Sequence, residues 1–315
     1  MKIAILTQPL SYNYGGILQN YALQQVLQRL GHDPITFDQV DWVPTIRIKI
    51  KLRLLLLLEK YKIRQLNHDN AIDKFKSKYI NTTYKADSLW DIKKLNWKYR
   101  PGAIIVGSDQ VWRPRYNWGC IDKMFLSFVP QRAKVKRIAY AVSFGTSEWE
   151  FTEEEAKKCK KLLQRFDAVS TREIDGIELC SKYLNRKDVV NVLDPTLLLE
   201  KNDYLNLCKD IPKAVDDILF AYILDLDDKT TSIIENIAQE NGMRLKLVSA
   251  HTNWTLSIEE WMAMFRDAKL IITDSFHGTV FSIIFNKNFY SICNQSRGNS
   301  RFTSLLTQFD LLDRL

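Results

Sequence analysis

The sequence predicts an α/β protein made of two doubly wound halves in tandem. Three observations point there. Short apolar, β-rich runs alternate with helical patterns along most of the 315 residues. Those runs are nearly continuous in apolar residues, as parallel strands covered on both faces tend to be. At Asp194-Pro195-Thr196 the alternation breaks, then restarts after a helical link.

The first half opens with a strand over Lys2–Thr7, a loop at Ser11–Gly16 and a helix over Ile17–Leu30. Leu18, Ala22, Val26 and Leu30 recur every fourth residue, and Gly31 stands where a helix C-cap belongs. A second strand at Ile35–Asp38 completes a βαβ unit with parallel strands. Residues 45–100 interrupt the rhythm with a basic, aromatic, mostly helical insertion. Strands follow at Ala103–Val106, Ile138–Val142, Ala168–Ser170 and Val189–Val192. Pro195 lacks an N–H and pushes Asp194 out of the helical region, so the first domain is expected to be 1–198 and the second 199–315. The second carries strands at Ile218–Leu224, Leu245–Ser249, Leu270–Thr273 and Phe289–Ile292. Two such halves imply a cleft between them, the usual place for a ligand.

Composition narrows the partners. The net charge of +8 suits an anionic substrate, a lipid surface or nucleic acid. Zinc-finger spacing, an RNP-like aromatic motif and an arginine-rich tail are all missing, so no nucleic-acid partner is expected. Much of the charge sits in Arg47, Lys49, Lys51, Arg53, Lys60, Lys62 and Arg64, among leucines. That stretch reads either as a solvated helix packed on its own domain or as a peripheral contact with anionic lipid. The longest aliphatic run, Leu54–Leu58, falls far short of the ~20 residues of a bilayer span. The N-terminus has no signal-peptide core, and five Cys without C-x-x-C spacing suit reduced thiols. A cytoplasmic location, at most peripheral to the inner membrane face, is expected. No metal is expected, since H-E-x-x-H is missing and His32, His68 and His251 lack ligand partners nearby in sequence.

Three constellations could carry chemistry, each directly after a strand. In Thr273-Asp274-Ser275-Phe276-His277-Gly278-Thr279, a loop ahead of a helix expected at Val280–Asn286, the helix N-terminus offers N–H groups to an anion and Gly278 admits close backbone approach. His277 can give or take a proton near neutral pH, or merely cap the turn. Asn13-Tyr14-Gly15-Gly16 could bind phosphate or sugar, or serve as a tight βα turn; it is neither G-x-G-x-x-G nor a P-loop. In Gly107-Ser108-Asp109-Gln110-Val111-Trp112, Asp109 could orient a sugar hydroxyl, act as a base or cap a helix. Arg172, Arg297 and Arg301 are cations that could complete an anion site.

Together with Ser143-Phe144-Gly145, Thr171-Arg172-Glu173 and Asp194-Pro195-Thr196, these segments resemble the polysaccharide pyruvyl transferase family in order and spacing. The resemblance implies a glycosyltransferase-B-like arrangement, two Rossmann-like domains facing a cleft. It implies transfer of pyruvate from phosphoenolpyruvate onto sugar hydroxyls of a cell-surface polysaccharide precursor, lipid-linked at the membrane, to form a ketal. No cofactor beyond this donor is implied. His277 matches the family's essential His. Arg172, Ser275, Gly278 and Arg301 are expected at the donor, and Asn13, Gly15, Gly16 and Asp109 at the acceptor or cleft. One departure stands out: Ser275 occupies the place where characterised members often have Arg. A cation for the donor is therefore either missing or supplied from elsewhere, with Arg301 the candidate. The same departure keeps two other readings open, a nucleotide-sugar glycosyltransferase and a non-catalytic anion- or glycan-binding relative. Relatives usually continue with a helix returning to the first domain, so a truncated end is expected at Leu311–Leu315.

Overall fold

A computed structural model describes residues 1–11, 13–39, 62–117, 119–249, 256–293 and 298–315. The basic stretch from Arg47 to Arg64 lies outside the described side chains, as does Arg297. The chain divides into two compact units, residues 1–59 with 76–198 and residues 60–75 with 199–315. Among the described residues, no helix is long and apolar enough to cross a membrane.

The first unit is built on a six-stranded sheet. Its strands are β1 (Lys2–Leu6), β2 (Asp33–Thr36), β3 (Ala103–Asp109), β4 (Lys136–Val142), β5 (Ala168–Thr171) and β6 (Val190–Asn191). They lie in the order β2-β1-β3-β4-β5-β6, every pair parallel. Every residue of β3 is buried, as its apolar run requires. The helices are α1 (Tyr14–Arg29), α2 (Lys62–Tyr79), α3 (Leu89–Tyr99), α4 (Glu153–Leu163) and α5 (Asp175–Leu184), the first part of α2 belonging to the second unit. Trp112, fully buried, stacks on Phe125 at 4.5 Å and anchors the core behind the sheet.

The second unit holds α6 (Lys201–Leu207), α7 (Asp228–Glu240), α8 (Ile258–Asp267), α9 (Phe276–Ile284) and α10 (Ser300–Gln308). Its strands β7 (Ile218–Ile223), β8 (Arg244–Ser249), β9 (Ala268–Thr273) and β10 (Asn288–Ser291) form a parallel sheet in the order β10-β9-β7-β8. A cluster of edge-to-face rings packs α8 and α9 on β7: Trp261 lies 5.3 Å from Phe281 and Phe265 lies 5.1 Å from Phe220.

Both units are Rossmann-like, and both reverse strand order at the same step. In each, the first strand has the second on one side and the third on the other. The reversal falls between β1 and β3 in one unit and between β7 and β9 in the other, and ligands of open parallel sheets bind beyond the carboxyl ends of such strands.

Two expected boundaries move. Tyr14, Gly15 and Gly16 form the first turn of α1 rather than a loop. Phe276, His277, Gly278 and Thr279 likewise belong to the first turns of α9. In both places the missing glycine side chains permit helix where composition reads as turn.

Candidate functional site

At the reversal in the first unit, Asn13 donates its side-chain amide to Asp109 Oδ2 at 3.3 Å. Asn13 is the extended residue just before α1 and Asp109 is the last residue of β3. Gly16 closes the group. A Cβ there would lie 3.2 Å from the Asn13 amide and 3.3 Å from the Asp109 carboxylate, so any side chain would press on both. Gly15 is buried beside it in the same turn.

Asp109 carries φ of 72°, a left-handed conformation that L-residues other than Asn and Asp rarely adopt. Its Oδ1 accepts from the Gln110 N–H at 2.9 Å, so it caps its own turn rather than a helix. Strain of about 1 kcal/mol held at a strand end of this kind is concentrated at functional positions.

Arg172, the residue after β5, lies 3.9 Å from Asp109 Oδ1. Its Nη1 donates to Asp194 Oδ2 at 2.9 Å and its Nε to Glu173 Oε1 at 3.3 Å. Asp194 also accepts from Ser108 Oγ at 2.7 Å and from the backbone and hydroxyl of Thr196. Burial works against the Arg172 charge, but Glu173, Asp194 and Asp109 outweigh it and raise its pKa further above the ordinary value. The same Asp194 charge, added to burial, pushes the Tyr140 hydroxyl up to about 12. Arg172 therefore acts first as the counter-ion that lets three carboxylates share one interior.

The second unit has its own polar turn between β9 and α9. Ser275 is the N-cap of α9, its Oγ accepting from the Gly278 N–H at 3.4 Å. Gly278 lies against β9: a Cβ there would stand 2.2 Å from Thr273 Oγ1. Asp274 spans the strand reversal, its carboxylate accepting from the backbone N–H groups of Leu224 at 2.6 Å and Asp225 at 3.0 Å. His277 is 6% exposed, its ring edge-on to Phe276 at 5.3 Å. Arg301, in the first turn of α10 and also 6% exposed, places its guanidinium 5.7 Å from the same Phe276 ring. His277 and Arg301 thus share one aromatic neighbour.

The structure therefore gathers Asn13, Gly16, Asp109 and Arg172 in one unit, and Ser275, His277, Gly278 and Arg301 in the other. Three participants were not singled out from sequence as site residues: Glu173, Asp194 and Phe276. A charged pair directly after a strand is a usable signal for Glu173. Phe276 offers none, because an aromatic residue before His reads as core.

The family model for polysaccharide pyruvyl transferase matches residues 13–296 of the chain. Comparison with curated protein sequences gives no significant match. Among solved structures, the chain is similar to a provisionally designated UDP-N-acetylglucosamine 2-epimerase from Listeria monocytogenes, with 10% identity, a TM-score of 0.54, and coverage of 99% of this chain and 88% of that one. It is also similar to the UDP-GlcNAc 2-epimerase of Methanocaldococcus jannaschii, with 13% identity, a TM-score of 0.49, and coverage of 92% and 83%. At such identities the likeness concerns the fold, which is glycosyltransferase-B-like.

Proposed function

The chain belongs to the polysaccharide pyruvyl transferase family, and from that premise we propose that it moves the pyruvyl group of phosphoenolpyruvate onto two hydroxyls of a sugar in a glycan precursor. The reading is carried by the family match across residues 13–296, in which the polar motifs fall at the carboxyl ends of parallel strands.

The chemistry asks for an acid, a hydroxyl-orienting base and a receptor for an anion. One sugar oxygen attacks C2 of the enol phosphate while an acid protonates C3. The C2–O bond to phosphate breaks, phosphate departs, and the second hydroxyl adds to C2 and loses its proton, closing the ketal. His277 is assigned the proton transfer to C3. Asp109, 3.9 Å from Arg172, is assigned the acceptor hydroxyl, taking its proton as the oxygen attacks C2. The N-terminal turn of α9 and Arg301 are assigned to the donor anion, with Arg301 supplying the charge that Ser275 lacks.

The test is incubation with phosphoenolpyruvate and a panel of glycans bearing vicinal or 4,6-diols, following phosphate release and ketal formation. Unchanged turnover in His277→Ala would remove its assigned role. Ser275 also motivates a second reading, a nucleotide-sugar donor. Thermal stabilisation by a nucleoside diphosphate but not by phosphoenolpyruvate would favour it. Anion binding without turnover on any acceptor would instead make the chain a non-catalytic relative.

A further inference from the structure

Helix α3 presents two unlike faces. Ile92 and Leu95 are fully buried against the core of the first unit. On the opposite stripe stand Trp90, Lys93, Lys94 and Trp97, all exposed. The indoles are 64% and 72% exposed, and seven residues of helix put them about 10 Å apart along the axis. Each has its own cation: Lys94 Nζ lies 5.5 Å from the Trp90 ring and the Arg100 guanidinium 5.7 Å from the Trp97 ring. Asp91, the helix's one acid, is occupied by Ser88 and by Lys94 at 3.2 Å.

We propose that this face of α3 seats the protein on an anionic lipid surface. Two largely exposed indoles on one stripe of a helix leave apolar surface in water. Paired with lysine and arginine, they match the boundary of a bilayer, where indoles lie among headgroups and cations reach phosphates. A sugar-stacking platform would present bare rings, whereas these carry cations. The net charge of +8 favours a negative surface over a neutral one. The inference stands on α3 alone and does not depend on the identity of the donor.

The experiment is co-sedimentation of the full chain with vesicles of phosphatidylglycerol and phosphatidylcholine, compared with phosphatidylcholine alone. The wild type is expected to pellet with the anionic vesicles at low salt and to be released as salt rises. Trp90→Ser/Trp97→Ser should weaken partitioning about tenfold, and Lys93→Gln/Lys94→Gln by about fivefold per charge. Melting curves matching the wild type would establish that both variants fold. A wild type that stays in the supernatant, binds both vesicles equally, or pellets no less after either double substitution would overturn the proposal. So would retention on soluble acidic polysaccharide in place of vesicles.

Discussion

Asn13 and Asp109 meet across 3.3 Å, an amide on a carboxylate, at the single reversal of strand order in the six-stranded sheet. In the four-stranded sheet the corresponding reversal is spanned by Asp274, which holds backbone N–H groups instead of a side chain. The difference has a chemical meaning. Asp274 is used up in holding two loops together, whereas Asp109 has a side-chain partner that a substrate hydroxyl could exchange for.

Asp109→Asn tests that distinction. Asn tolerates the left-handed backbone, so the fold should survive with a melting temperature close to the wild type. The carboxylate that could take a proton is lost, and phosphate release from phosphoenolpyruvate should fall by a factor of about 100 or more. Circular dichroism and a phosphate assay on the same preparation separate the two effects.

Arg172→Ala should cost stability as well as activity. It strands Asp194, Glu173 and Asp109 around an uncompensated interior, a loss of about 3–5 kcal/mol. Adding Asp194→Asn removes one of the stranded charges and should recover part of that loss. Denaturant melts of the two variants decide the matter; equal destabilisation would show that Asp194 does not depend on Arg172.

Gly278→Ala and Gly176→Ala form a matched pair. A Cβ at 278 would lie 2.2 Å from Thr273 Oγ1, and one at 176 would lie 2.8 Å from the Thr171 side chain. Each threonine ends a strand and each glycine comes five residues later. Both substitutions should destabilise by about 1–3 kcal/mol through overpacking, read as lowered melting temperatures.

Acid should weaken the second unit through Asp267. Burial raises this carboxyl, but the Arg266 fork at 2.7 Å, the Ala214 N–H and nearby Lys287 outweigh it and hold the pKa below the ordinary value. Stability from a depressed carboxyl is present above the unfolded pKa and lost as pH falls through the folded one. The wild type should therefore lose melting temperature below about pH 4 more steeply than Asp267→Asn does.

The strands were legible because their apolar runs are continuous; Ile218–Leu224 in the sequence becomes Ile218–Ile223 in the sheet. The starts of α1 and α9 were not. Gly15, Gly16 and Gly278 read as loop by propensity, yet each sits in a helix, the last two where a Cβ would crowd its neighbours. Tertiary packing there overrides a local preference of about 1 kcal/mol per residue. The site was half legible. Residue types after strands single out Asp109, Arg172 and His277 as candidates, but the ring shared by His277 and Arg301 joins α9 to α10 across 24 residues, a distance no local pattern spans. Nor does sequence alone say that Arg172 is surrounded by three acids, because those acids come from the end of β3, the turn after β5 and the turn after β6.

The φ of 72° at position 109 limits which amino acids can stand there. Glycine, asparagine and aspartate fit that backbone readily; most other residues carry a conformational cost of about 1–2 kcal/mol there. A saturation library at this codon, sorted once for expression of folded protein and once for turnover, should return different survivors. The first sort should favour those three residues and the second the native one, so that the gap between the two lists separates what geometry demands of the position from what the proposed chemistry demands.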